Sequence, residues 1–279
     1  MIPAAFDYVR PTTLDEAIRS LADGTGETKV LAGGQSLLPL LKLRLARAGR
    51  LVDIGRIPEL RGVRPAPDGG FGVGSLTTYA ELMASPAASI GALADALPSI
   101  GDLQVRNVGT IGGAIAHADP ASDLPAVLLA LDATVVARGP NGERTIAIGQ
   151  FFEGPFETAL GADEILTEVR IPPLTDGAGS AYVSLEQRAS GYALVGVAAV
   201  VSRDRREARI GVTGVAHAAY RAGEVEAALA EGATPADAAA RAADGVDVLS
   251  DIHCDRDYRT AMAAVYARRA IEAAMARAI

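Results

Sequence analysis

Residues 172–179, Pro-Pro-Leu-Thr-Asp-Gly-Ala-Gly, divide the chain into two stretches whose elements follow different orders. Adjacent prolines cannot continue a strand ladder and Asp-Gly is turn chemistry, so the segment reads as a linker. Before it, short apolar runs alternate with helical patterns and glycine turns. After it, strand patterns at Ala181–Leu185, Leu194–Ser202 and Ala208–Val215 precede Ala- and Glu-rich helical patterns near 223–231, 235–243 and 257–278. Strands followed by helices suit an antiparallel sheet with helices on one face.

The first stretch opens with Thr13-Leu-Asp-Glu16, a capping-box pattern, followed by Leu14, Ala17, Ile18 and Leu21 on one helical face and a stop at Gly24. Lys29–Ala32 reads as a strand running into Gly33-Gly34. Ser36 can open a helix whose first turn accepts Pro39, and Leu51–Ile54 suits another strand. Beyond this small α/β unit, Pro67-Asp-Gly-Gly70 turns between Val63 and a strand at Phe71–Ser75. Thr78-Tyr-Ala-Glu81 is a second capping box, and a helix is expected over much of Ala87–Leu97. A glycine-rich stretch, Asn107–Gly113, precedes a helical Leu124–Leu131 and strands at Thr134–Ala137, Thr145–Ile148 and Ile165–Ile171. The expected fold class is α+β. Two N-terminal α/β subdomains span 1–56 and 57–174, and an α+β C-terminal domain with antiparallel sheet and helices spans 175–279.

A net charge of −8 and a pI near 5.0 oppose binding to a phosphate backbone. The densest basic cluster, Arg203, Arg205 and Arg206, is interrupted by Asp204 and reads as a solvated turn. Cys254 is the only cysteine, so neither an internal disulfide nor an iron–sulfur cluster on this chain's own thiolates is expected. His117, His217 and His253 lack metal-ligand spacing. No run is apolar enough to span a membrane, and MIPAAFDYVRP has no signal-like core, so the expected compartment is the cytoplasm.

Two segments stand out: Ala32-Gly-Gly-Gln-Ser-Leu37 and Thr110-Ile-Gly-Gly-Ala114. Glycine lets backbone N–H groups approach phosphate oxygens and permits positive φ. Ser36 and Thr110 add hydroxyls. Two such loops can grip the two phosphates of a dinucleotide from opposite sides, yet either pair alone is equally an ordinary turn. Neither is GxGxxG, and neither carries the GK[ST] of a nucleotide-hydrolase loop.

The residues around them carry more: AGGQSLLPLLKLRLA, QVRNVGTIGGAIAHADPASDLPA, DEILTEVRIP and SDIHCDRDYRTAMAAVYARRAI, in that order across nearly the whole chain. In these segments the chain resembles the FAD-binding medium subunits of molybdenum hydroxylases, the family of xanthine dehydrogenase and carbon monoxide dehydrogenase. The resemblance implies two PCMH-type FAD-binding subdomains and a C-terminal domain closing over them. It implies that Val30, Leu31, Ala32, Gly33, Gly34, Gln35, Ser36 and Leu37, with Thr110, Ile111, Gly112, Gly113 and Ala114, wrap the pyrophosphate and ribityl portion of FAD. Asp123 matches an acid near the flavin or its ribityl chain, Leu166 an apolar residue beside the isoalloxazine, Ile100 a cleft-lining position, and Tyr192 a residue covering the flavin face. On the residues alone, Asp123 can equally cap the helix beginning near Leu124. Leu166 and Ile100 can be plain core, Tyr192 a half-buried strand residue, and His117 and Cys254 structural. The chain departs from the family where Ser184 stands for a lysine and Gly191 for an acid.

The resemblance further implies an oxidoreductase subunit, without a catalytic residue of its own toward the organic substrate. It would take electrons from an iron–sulfur small subunit, served by a molybdopterin large subunit, and pass them to an external acceptor. The implied assembly is a dimer of heterotrimers. The alternatives are a self-sufficient FAD oxidoreductase and a flavin-free assembly module.

Overall fold

The computed structural model describes residues 2–23, 27–204 and 206–279; the stop expected at Gly24 and Arg205 of the basic cluster lie outside them. The first elements are β1 (Asp7–Val9), α1 (Leu14–Ala22), β2 (Thr28–Leu31), α2 (Leu37–Leu43) and β3 (Arg50–Asp53). Their strands form a parallel sheet in the order β1-β3-β2. The Thr13 hydroxyl caps α1 by accepting the Glu16 N–H. The Glu16 carboxylate does not reach back to Thr13; it takes the Thr12 N–H and hydroxyl at 3.0 and 3.2 Å. Leu14, Ala17, Ile18 and Leu21 are buried, and each large side chain among them contributes about 1.5–3 kcal/mol.

The second sheet is antiparallel, in the order β4-β5-β10-β6-β7. It combines β4 (Val63–Pro65) and β5 (Phe71–Gly74) with β6 (Thr134–Gly139), β7 (Gly142–Ala147) and β10 (Ile165–Ile171). A small hairpin, β8 (Phe152–Gly154) and β9 (Glu157–Thr158), lies between β7 and β10. The helices α3 (Tyr79–Met83), α4 (Gly91–Ala96), α5 (Leu103–Val108), α6 (Ile111–His117) and α7 (Asp123–Ala130) are inserted between β5 and β6. Every residue of α7 is buried, which explains its apolar composition on all sides. The single helix expected over much of Ala87–Leu97 is broken instead: 3-10 turns at Pro86–Ser89 and Leu97–Ser99 flank α4, and the extended Ile90 separates the first turn from it.

After the linker come β11 (Gly179–Glu186), β12 (Ala193–Val201), β13 (Ala208–Thr213) and β14 (Tyr220–Arg221), an antiparallel sheet in sequence order. They are followed by α8 (Gly223–Ala230), α9 (Pro235–Ala239) and α10 (Arg256–Arg277). The helices that follow lie on one face of this sheet, as expected, and its other face is covered by α4 and α7. Ala181, Val195, Val197 and Ala199 pack with α10, whereas Tyr182, Ala198 and Val200 join the core that holds α4 and α7. Burial on two sides is why Ala193–Val201 is almost continuously apolar. Among the described residues, no helix is long and apolar enough to cross a membrane.

Candidate cofactor site

The two glycine segments meet. A Cβ on Gly33 would lie 2.1 Å from the Val108 carbonyl oxygen, and one on Gly113 would lie 3.9 Å from the Ala32 Cβ. Beside this contact opens a cavity of about 490 Å³ lined by Ala32, Gly33, Thr78, Val108 and Thr110, with Arg61 and Glu81 also on its wall.

The segments differ in what they offer. Gly34 has φ +70°, and Ser36 beyond it is right-handed helical. Among the described residues, the backbone N–H groups of Gly33, Gly34, Gln35 and Ser36 donate to no protein acceptor. Successive free N–H groups in such a turn form an anion-binding concavity. The second segment is not a loop, as the glycines had suggested, but the first turn of α6. Its Thr110 cap accepts the Gly113 N–H at 3.1 Å. The N–H groups of Ile111, Gly112 and Ala114 donate to Thr77, Ser75 and Thr110 carbonyls. The first segment therefore supplies donors and the second supplies a bare surface.

The glycines are also not interchangeable. A Cβ on Gly112 would sit 2.4 Å from the Ser75 Cβ, and one on Gly33 would strike backbone, so both are required by close packing of the protein on itself. At Gly113 the added atom would meet only the Thr110 hydroxyl, at 2.8 Å, before reaching Ala32. Of these three glycines, Gly113 is the one whose missing side chain is not demanded by backbone packing, and its bare face lies toward Ala32. A pyrophosphate fits the free donors and the side-chain-free wall.

A second group gathers at the far end of α6. Asp123 does not cap α7; it is that helix's first residue, 7% exposed, and its carboxylate accepts from the Tyr182 hydroxyl at 2.5 Å. Burial pushes its pKa up to about 6, against the pull of the Tyr182 donor. The room for that hydroxyl comes from Gly196, where a Cβ would lie 2.2 Å from it. Tyr192 is 48% exposed and lies in the hairpin before β12, not within a strand. Partial burial and the carboxylates of Asp119 and Asp123 raise its pKa. Tyr79, whose pKa is raised by burial and by the charges of Asp123 and Tyr192, packs its ring under Gly109.

Leu166 is 5% exposed in β10, directly before a β-bulge at Thr167, whose carbonyl accepts the Ser75 N–H. Ile100 is partly buried against the same core, and Arg106 holds its carbonyl and those of Pro98 and Gly101 within 3.1 Å. Val30 and Leu31 belong to β2, Leu37 begins α2, and Gln35 is exposed. Gly191 takes φ +75°, a left-handed turn where a residue with a Cβ would be strained; Ser184 sits on β11, 3.4 Å from a Glu186 oxygen. Sequence reasoning missed Tyr182 and Ser75. Tyr182 read as one more residue of an apolar strand, and nothing local connects it to Asp123. Among the described residues, no cluster of His, Cys, Asp and Glu is arranged to hold a metal.

A family model described as the FAD binding domain in molybdopterin dehydrogenase matches residues 4–174. The chain belongs to this family. Its remainder matches the CO dehydrogenase flavoprotein C-terminal domain over residues 180–274. The chain is 40% identical over 286 residues to the carbon monoxide dehydrogenase medium chain of Hydrogenophaga pseudoflava, covering 99% of each. It is 38% identical to the 6-hydroxypseudooxynicotine dehydrogenase complex subunit alpha of Paenarthrobacter nicotinovorans, covering 100% of this chain and 97% of that one. Carbon monoxide dehydrogenase from H. pseudoflava superposes with a TM-score of 0.95 at 41% identity over 100% of both chains. Quinoline 2-oxidoreductase from Pseudomonas putida 86 gives 0.92 at 33% identity over 99% of both. The chain is accordingly an FAD-binding medium subunit of the molybdenum hydroxylase family, an oxidoreductase flavoprotein.

Proposed function

We propose that the chain takes electrons from an iron–sulfur small subunit and passes them to an external acceptor, while a molybdopterin large subunit handles the organic substrate. The assembly we propose is a dimer of heterotrimers. The observation that carries this reading is the row of N–H groups from Gly33 to Ser36 that have no protein acceptor, in a segment that meets the bare face of Gly113 at Ala32, in a chain without a metal-binding cluster among its described residues. Bound FAD supplies a reversible acceptor for one or two electrons.

In this reading Val30–Leu37 and Thr110–Ala114 wrap the pyrophosphate and ribityl portion. Asp123 receives a polar group of the flavin or its ribityl chain, with Tyr182 fixing the carboxylate. Leu166 and Ile100 exclude water from the cleft, and Tyr192 covers one face. We assign residues 1–56 and 57–174 to the two FAD-binding subdomains and 175–279 to the domain that closes over them. Relatives of nearly equal identity are named for carbon monoxide and for a nicotine derivative, so the organic substrate belongs to another subunit's site.

Anaerobic titration tests the proposal. Substrate of the holoenzyme added to the isolated flavin-loaded chain should leave the flavin absorbance unchanged, and the assembled complex should bleach it. Bleaching of the isolated chain overturns the relay and makes the chain a self-sufficient oxidoreductase. Failure of the chain to take up FAD overturns the cofactor assignment.

A further inference from the structure

The SDIHCDRDYR segment belongs to none of the contacts described above, yet it is built as a unit. Asp251 Oδ1 accepts the N–H groups of His253 and Cys254 at 2.8 and 3.1 Å, and Asp255 caps α10 by accepting the Tyr258 N–H at 2.8 Å. Both devices place Arg259 in the first turn of α10, only 3% exposed. Its guanidinium makes a charge-assisted bond of 2.6 Å to Asp251 Oδ2. Nη1 of the same group donates to the Gly214 carbonyl and lies 3.4 Å from the Leu194 carbonyl.

Those two carbonyls are informative. Leu194 follows Tyr192 by two residues. Gly214 donates its own N–H to the Pro120 carbonyl at 2.8 Å, and the Thr213 hydroxyl lies 2.8 Å from the Pro120 and Ser122 carbonyls. Asp123 comes next in the chain. Gly214 has φ +79°, and a Cβ there would lie 2.7 Å from the carbonyl oxygens of both Ala193 and Leu194. The turn after β13 is therefore pressed against the start of β12, and one buried guanidinium is bonded to both.

We infer that Arg259, fixed by Asp251, is a positioning residue that sets the Tyr192 hairpin and the 119–123 turn against each other at the flavin cleft. The inference rests on the proposed reading that Tyr192 and Asp123 face the flavin. A planar fork with several donors can bind a carboxylate and two carbonyls at once, whereas a lysine ammonium is a point charge that cannot span them. A burial this complete is costly unless the group is paired, which the Asp251 carboxylate provides.

The test uses the full chain loaded with FAD. The variants are Arg259→Gln, Arg259→Lys, Asp251→Asn and Tyr192→Ala, with Arg221→Gln for comparison. Arg221 ties β14 to Glu226 of α8 at 2.6 and 2.8 Å, beside Asp132 just past the end of α7 opposite Asp123. The measurements are the urea midpoint, the flavin visible spectrum and the reoxidation rate of the photoreduced flavin by ferricyanide. Arg259→Gln should shift the spectrum and change the reoxidation rate severalfold, Arg259→Lys should recover part of both, and Arg221→Gln should lower the midpoint alone. Equal losses of stability in the two Gln variants, with wild-type spectrum and rate in both, overturn the inference. Should Arg259→Gln fail to fold, wild-type flavin properties in folded Arg259→Lys and Asp251→Asn overturn it equally. A silent Tyr192→Ala removes the flavin-facing reading and the inference with it. A Tyr192→Ala effect beside silent Arg259 variants overturns the role of Arg259 alone.

Discussion

Gly113 separates a cofactor requirement from a packing requirement. Alanine there gains helix propensity, about 1 kcal/mol, and disturbs the Thr110 cap by a similar amount. The apo chain should therefore change in stability by less than about 1 kcal/mol while FAD occupancy falls. Gly33→Val, by contrast, drives side-chain atoms into the Val108 backbone and should cost the apo chain about 1–3 kcal/mol as well as its FAD. Urea titration beside flavin quantitation checks both; full occupancy in Gly113→Ala would show that its bare face is mere turn space. Asp123 gives a pH signature. Its pKa rises on folding from 3.8 to about 6, so the folded state holds the proton more tightly. The stability it contributes is fully present below about pH 4 and is lost as pH rises through about 6. Apo Asp123→Asn, which stays neutral, should gain on the wild type across that window by up to roughly 3 kcal/mol. A difference in urea midpoints that stays flat between pH 4 and 8 would contradict the buried-carboxyl account.

At the scale of elements, α6 carries the argument. Its start was hidden because Gly-Gly is a poor helix former, and the cost is met by tertiary contacts: Ile111 and Ile115 are buried, and Gly112 lies against Ser75. Thr110→Ala removes the cap and should cost about 1 kcal/mol with reduced FAD retention; Thr110→Ser, which keeps the hydroxyl, should restore both. Parallel denaturation and flavin-release measurements decide, and an alanine variant indistinguishable from wild type would place the cap's energy elsewhere. The capping box at Thr78–Glu81 was legible because its two bonds are local, and both form, at 3.2 and 2.8 Å. The helix expected across much of 87–97 is interrupted at Ile90, whose backbone is extended at φ −72° and ψ 115°, so that only Gly91–Ala96 winds as α4.

For the whole molecule, FAD should act as a structural ligand. Free FAD at about a hundredfold over its dissociation constant stabilises the chain by roughly 2.7 kcal/mol, a thermal shift that FMN, lacking the adenylate half, should not match. Equal shifts with FAD and FMN would mean that the glycine segments do not hold a dinucleotide. The chain by itself determined the longer strands, the caps at Thr13 and Thr78, the linker and the two glycine segments, because periodicity, turn chemistry and capping are encoded within a few neighbouring residues; the short strands β1, β4, β8, β9 and β14 carry too little pattern to read. Only the tertiary structure decided which glycines face protein and which face open space. Gly33 meets Val108 and Gly112 meets Ser75 through approaches of backbone segments distant in sequence. Only it joined Asp123 to Tyr182 and Arg259 to Gly214, for a buried polar group finds its partner through the packing of whole sheets and helices, which no local pattern records.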